Sequence, residues 1–373
     1  MTRLPLVLAL ATLLASPAAA ETTVFPRLSS GDGELIVYSS TDLDTLSPAI
    51  ADFQVLHPAI EITYVDLDTA ELYDSFVAEV DAGAPSADLL LSSAMDLQFK
   101  LANDGYAAAH RSSNAESIPD WARWRNHAFG VTFEPAVIVY NRELVPPAHV
   151  PNTRFDLLRL IREQADTYRG RIVTYDIEES GVGYLLATQD AVVGGVFGSL
   201  LEALGRSQVV LKGNTSEMLE GIAEGRYLIG YNVLGSYAQV WAERNRSIGI
   251  VLPSDYTLAI SRTAIISAAA QHPQEAHHFL DYLLSVRGQR VLTDKGRLFA
   301  VRPEVTGPYS RIGISENRVG PLRSIQLGSG LLVYLDRLKR EKFLAPWREG
   351  IGRRGREPEG GGAEGGGAAA GQP

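Results

Sequence analysis

The chain has 373 residues, with 34 Lys and Arg against 44 Asp and Glu, and it contains no cysteine. A net charge of -10 argues against nucleic acid and anionic lipid, both of which need clustered basic residues. The missing thiols exclude disulfide frameworks, zinc fingers, iron–sulfur clusters and cysteine nucleophiles, and the length suits two lobes better than one core.

At the N-terminus, Arg3, the apolar run Leu4 to Leu14 and the small residues Ala18-Ala19-Ala20 have the pattern of a cleavable signal peptide over 1–20, too short to span a bilayer. The chain is therefore expected to be exported to the periplasm. Glu34 to Tyr38 is an apolar, β-branched run that predicts a buried strand, and Asp42 to His57 repeats apolar residues at helical spacing before Pro58. A strand over Ile60 to Val65, a helix over Glu71 to Asp81 and a strand over Asp88 to Leu91 complete a βαβ series.

A second series follows Gly130. Strands are expected at Ala136–Tyr140, Arg171–Tyr175, Val209–Leu211 and Leu228–Tyr231, with helices at Phe155–Tyr168, Tyr184–Asp190 and Ser216–Glu224 between them. Ile248–Leu252 and Thr263–Ile266 lead back, and a helix over Pro273–Leu284 closes the series. The expected fold is α/β, with two Rossmann-like lobes joined by two hinge crossovers at Thr132–Pro135 and Pro253–Arg262. The first lobe takes 34–132 plus 262–350, the second takes 133–261, and 352–373 is a Gly/Ala-rich tail with nothing to bury.

In open α/β sheets, ligands sit beyond the carboxyl ends of the strands. Four loops expected there carry small hydroxyl residues and glycine: Ser39-Ser40-Thr41, Ser92-Ser93, Ser180-Gly181-Val182-Gly183, and Tyr231-Asn232 with Ser236; Thr132 lies at the first crossover. Each loop is also an ordinary helix cap, but together they can offer backbone N–H groups and hydroxyls to one small ligand. Asp42, Asp176, Glu178 and Glu179 stand beside these loops, where they can compensate helix dipoles or greet an ammonium group. Arg142 and Arg262 are candidate anion clamps, and Trp121 and Trp124 suit either a lid or a core.

The segments Leu35-Ile36-Val37-Tyr38-Ser39-Ser40, Asp88 to Ser93, Ile138 to Asn141, Ser180 to Leu185, and the run from Phe279 to Leu292, in this order, resemble periplasmic substrate-binding proteins of ABC importers. The nearest likeness is to the two-lobed class II type of the ferric-iron, phosphonate, sugar-phosphate and polyamine group. Gly328 to Arg348 resembles a subset that includes the phosphoglycerate transport regulatory protein. The resemblance implies capture of a small anionic or zwitterionic solute without a cofactor, by a monomer that hands it to an ABC permease. The alternative partner is the ectodomain of a sensor kinase in the inner membrane. Ferric-iron members use adjacent tyrosines; here Tyr231 and Tyr237 stand six apart, so an iron site would draw on Tyr231, Tyr237 and Asp176. No enzyme is expected, because G-x-S-x-G, the phosphate-loop motif and H-E-x-x-H are all absent.

Overall fold

The computed structural model describes residues 21–310 and 320–352. The expected signal peptide and the tail beyond Gly352 lie outside these residues. In chain order the strands are β1 (Glu21–Phe25), β2 (Gly33–Ser39), β3 (Ile60–Asp66), β4 (Leu89–Ser92), β5 (Arg123–Trp124), β6 (Ala128–Gly130) and β7 (Glu134–Asn141). They continue as β8 (Ile172–Tyr175), β9 (Val210–Lys212), β10 (Ile229–Leu234), β11 (Ile248–Val251), β12 (Thr257–Ile260), β13 (Thr263–Ile266) and β14 (Leu322–Ser324).

These strands form two sheets, one per lobe. The first has the order β1-β3-β2-β4-β13-β6-β5; the second runs β14-β12-β7-β10-β8-β9, with β11 also on β7. Within the first, β2 is parallel to β3 and β4, while the returning β13 is antiparallel to β4. On β2 the alternation Leu35, Val37, Ser39 faces inward. The helix Leu43–Leu56 sets Leu46, Ile50 and Phe53 against Phe279 and Leu283, the Phe53 and Phe279 rings meeting edge-on at 5.0 Å. An aromatic pair of that geometry adds roughly 1 kcal/mol beyond its buried area. Trp124 packs edge-on against Phe99 at 4.8 Å, so it belongs to the first lobe's core.

Three chain elements join the lobes. Two crossovers run side by side: Val131 donates its N–H to the Arg262 carbonyl at 2.7 Å, and β12 pairs antiparallel with the start of β7 through Ala259↔Pro135 and Ile260↔Glu134. The expected helix over Phe155–Tyr168 breaks at Gln164 into Arg154–Glu163 and Ala165–Tyr168. The third element differs from expectation. Residues beyond 320, assigned by sequence to the first lobe, add β14 to the second sheet in parallel with β12. The following helix Arg337–Trp347 buries Leu344 and Trp347 with Leu200 and Leu204 of the second lobe. Between β14 and that helix, Leu327 donates its N–H to the Trp121 carbonyl at 2.9 Å, and Leu331 packs in the same apolar cluster as Phe99. The C-terminal segment is thus a strap touching both lobes, because its apolar residues find unpaired faces on each.

Candidate functional site

Each lobe sends its strand-to-helix loops toward the other, and these loops enclose a narrow cavity of about 40 Å³. From the first lobe come Ser40 after β2, Asp68 and Thr69 after β3, and Ser93 after β4. From the second come Ser180 and Val182 after β8, Asn214 to Ser216 after β9, and Tyr237 after β10. Arg262, from the hinge, also lines it. The lobes touch directly. Tyr237 donates its hydroxyl to Asp42 Oδ1 at 2.8 Å, Ser216 donates to Asp42 Oδ2 at 3.0 Å, and the Gly181 N–H donates to Thr69 Oγ1 at 2.8 Å.

Arg262 organises the hinge beneath the cavity. Its Nε donates to Glu134 Oε1 at 2.7 Å, and its Nη1 donates to Thr41 Oγ1 at 2.8 Å and to the Ser40 carbonyl at 3.1 Å. Thr132 and Ser236 donate their hydroxyls to the same Glu134 carboxylate. Arg262 and Glu134 are both fully buried. Burial works against the guanidinium's charge, but Glu134 and Tyr237 outweigh it and keep Arg262 protonated.

The sequence-derived residues divide accordingly. Ser40, Ser93, Ser180 and Val182 line the cavity. Ser39 and Ser92 spend their hydroxyls on the Thr41 and Ala94 N–H groups, so they shape the loops and do not line it. Thr41, Thr132 and Ser236 lie in the Arg262–Glu134 network underneath. Gly181 abuts Thr69, and Gly183 lies against the Tyr175 ring, where a Cβ would come within 2.4 Å of Tyr175 Cβ. Its role is close packing of helix Gly181–Val193 on β8.

Tyr231 and Asn232 correct the expectation outright. A bulge in β10, with Asn232 at φ 60°, turns both side chains into a buried cluster of the second lobe. There Tyr231 donates to Asp190 Oδ2 at 2.6 Å, and the Asn232 amide donates to the same oxygen at 2.7 Å. The three oxygens of the iron reading therefore do not converge: Tyr231 meets Asp190, Tyr237 meets Asp42, and Asp176 accepts from the Glu178 N–H at 3.0 Å. Burial pushes both tyrosine hydroxyls well up, so each stays protonated and donates to its carboxylate. Among the described residues, no group of three His, Asp or Glu side chains could hold a metal ion. Arg142 is exposed and lines a separate cavity with Glu243 and Val251, so it is no clamp for this cleft.

Asp68, Thr69 and Asn214 to Ser216 also line the cavity, although none is among the sequence-derived candidates. The signal was available: each follows a strand and caps a helix, as the four named loops do. Asn214 accepts from the Glu217 N–H at 3.0 Å as a helix cap.

An acid beside the cavity also sets a pH dependence. Burial, and then the neighbouring Asp42, pushes Asp66 up to about 7. A carboxyl raised in the folded state contributes stability that is present in acid and lost as pH climbs from about 4 through 7. The lowered His57, His110 and His277 act in the opposite sense below about 6.5, since burial disfavours their charged forms. Melting curves of wild type and Asp66→Asn should therefore diverge progressively between pH 4 and 7 and run parallel above that, the variant losing less stability; curves parallel throughout would refute this account.

Two α/β lobes closing their strand-end loops over one cavity are the architecture of a protein that captures a small solute. The chain belongs to the bacterial extracellular solute-binding protein family, whose model matches residues 39–290. It is 40% identical to the substrate-binding protein of an ABC transporter from Agrobacterium tumefaciens, at a TM-score of 0.85 over 90% of this chain and 100% of that one. The fold is shared with the periplasmic binding protein AfuA of Actinobacillus pleuropneumoniae, solved with fructose-6-phosphate (18% identity, TM-score 0.71, 87% and 100% covered). It is shared too with iron-bound HitA of Pseudomonas aeruginosa (16% identity, TM-score 0.63, 74% and 89% covered). No curated protein matches the sequence significantly. The chain is a carrier and not an enzyme: it binds a small ligand outside the cytoplasm for delivery to an ABC permease.

Proposed function

We propose that this protein captures a small zwitterionic solute, one bearing an acid group and an ammonium or comparable donor, and delivers it from the periplasm to its importer. The observation that carries this reading is the mixture of charges on one cavity. Asp42 and Asp68 line it together with Arg262. Arg262 already faces Glu134, so a bare anion would meet two carboxylates and a guanidinium whose charge is largely compensated. A zwitterion supplies the missing positive partner while its acid group takes the hydroxyls of Ser40, Ser93 and Ser180. The lobes, read from the sheets, would be 34–132 plus 262–310, and 133–261 plus 320–352. Residues 1–20 would act as the export signal.

Ligand closes this arrangement because only the closed form brings both sets of loops to it, and a ligand confined to the folded state raises the melting temperature by mass action. A panel of amino acids, aminoalkyl phosphonates, phosphosugars and carboxylates should yield at least one stabilising zwitterion. Ser93→Trp and Ser180→Trp should each weaken that hit at least a hundredfold by calorimetry while far-ultraviolet dichroism stays unchanged. Stabilisation only by simple anions, or affinity indifferent to both tryptophans, would defeat the proposal.

A further inference from the structure

Beside the cavity just described lies a second compartment of about 170 Å³ between the two lobes. Ser180 lines both, and the Gly181–Thr69 hydrogen bond lies at the boundary between them. For scale, a cavity of roughly 150 Å³ accommodates a molecule the size of benzene. Its walls come from three places. Tyr73 and Asp96 belong to the first lobe, Tyr184 to the second, and Arg340 to the C-terminal strap.

Two of these groups lack the partners that their burial or charge would ordinarily secure. Asp96 is 3% exposed, and its Oδ1 has no hydrogen-bond partner. A buried carboxyl oxygen left unmatched is costly, and such groups in a folded protein call for an explanation. Arg340 makes no ion pair among the described residues; its guanidinium lies over the Tyr184 ring, 4.6 Å from the centroid. The strap holds it there, with the Tyr184 hydroxyl donating to the Tyr334 carbonyl at 2.6 Å and Phe343 packed edge-on against Tyr184. An acceptor without a hydrogen-bond donor and a cation that acts on it only through space therefore line a single compartment.

We propose that this compartment is a second ligand subsite of the cleft, taking a small molecule whose acid group pairs with Arg340 and whose adjacent ammonium or hydroxyl donates to Asp96. The inference rests on the solute-capture reading above and adds the C-terminal strap as the third wall of the binding site. Burial pushes Asp96 up to about 7, so near neutral pH the carboxyl accommodates either an ammonium or a hydroxyl neighbour. Arg340 suits a planar carboxylate or a phosphonate, because its fork of N–H donors meets two oxygens at once.

Calorimetry on the mature full-length protein tests this with serine, glycerate, propionate and ethanolamine as probes. Serine or glycerate should bind, and propionate, lacking the donor, or ethanolamine, lacking the acid group, should bind at least tenfold more weakly, as expected when a buried polar group is left unmatched. Arg340→Met should cost the better probe at least tenfold in affinity, and Asp96→Asn should shrink its preference over propionate to within threefold. Both substitutions are near in size to the residue replaced, and unchanged melting of the free variants will separate loss of the subsite from loss of the fold. Binding that Ser93→Trp abolishes but Arg340→Met and Asp96→Asn leave within twofold would overturn the subsite and leave the capture reading standing. Equal affinity for all four probes, or none for any, would also overturn the subsite.

Discussion

Replacing Arg262 by methionine should destabilise the protein by about 3–5 kcal/mol and abolish ligand binding, because it strands a buried carboxylate. Glu134 has no exposed surface, and Arg262 is its countercharge at 2.7 Å. Without the guanidinium, Glu134 keeps only the hydroxyls of Thr132 and Ser236. The same substitution removes the donors to Ser40 and Thr41, which fix the first lobe's loop at the cavity. Melting temperature should fall by on the order of 10 °C. Removing both charges, as Arg262→Met with Glu134→Gln, should recover most of the stability, since a neutral pair strands no ion. Ligand affinity should stay lost in the double variant. A single variant as stable as wild type would show that water or the free lobes solvate Glu134, and would remove the hinge role assigned to Arg262.

The second large effect is expected at Asp190. Its carboxylate has no exposed surface and gathers Arg154 Nε at 3.0 Å, the Tyr231 and Tyr256 hydroxyls at 2.6 and 2.8 Å, and the Asn232 amide at 2.7 Å. Arg154 is equally buried, and its Nη2 already has no partner. Asp190→Ala should therefore cost about 3 kcal/mol, the low end of the range for breaking a buried ion pair, because Asp255 still accepts from Arg154 Nη1 at 3.2 Å. The outcome should differ from Arg262 in one respect. Asp190 does not line the cleft, so folded variant protein at low temperature should bind within threefold of wild-type affinity. Denaturant midpoints and calorimetry on the same preparation give both quantities. A loss of binding that exceeds the loss of stability would mean that the cluster positions the cleft loops and does more than brace the second lobe.

The contrast between these two arginines shows where sequence reading ran out. Arg262 was visible as a candidate clamp, yet the sequence could not show that Glu134, 128 residues away, would neutralise it from the neighbouring crossover. Arg154 drew no attention, because the start of an amphipathic helix is an ordinary place for an exposed arginine. Tyr231 and Asn232 were misplaced for a related reason. They stand at the end of a strand, where cleft residues belong, but a single bulge with Asn232 at φ 60° turns them toward Asp190. A bulge alters which way side chains face without leaving a residue signature strong enough to read. Asn214 to Ser216 and Thr69 were missed although they carry the same capping signal as the loops that were named.

Local residue pattern alone carries the two-lobed α/β class, the order of the strands and helices it marks, and the two hinge crossovers, and it marks the strand-end loops at Ser40, Ser93 and Ser180. All of these follow from local periodicity and capping, which act within a few residues of one another. Long-range packing sets which hydroxyls face the cavity and which brace the hinge, parts the two tyrosines, and carries the C-terminal segment to the second lobe, where Arg340 lines one compartment with Asp96. Those outcomes depend on pairings between residues far apart in the chain, such as Tyr237 with Asp42 and Gly181 with Thr69. Burial and hydrogen-bond satisfaction select such pairings only once the two sheets have formed and closed on each other.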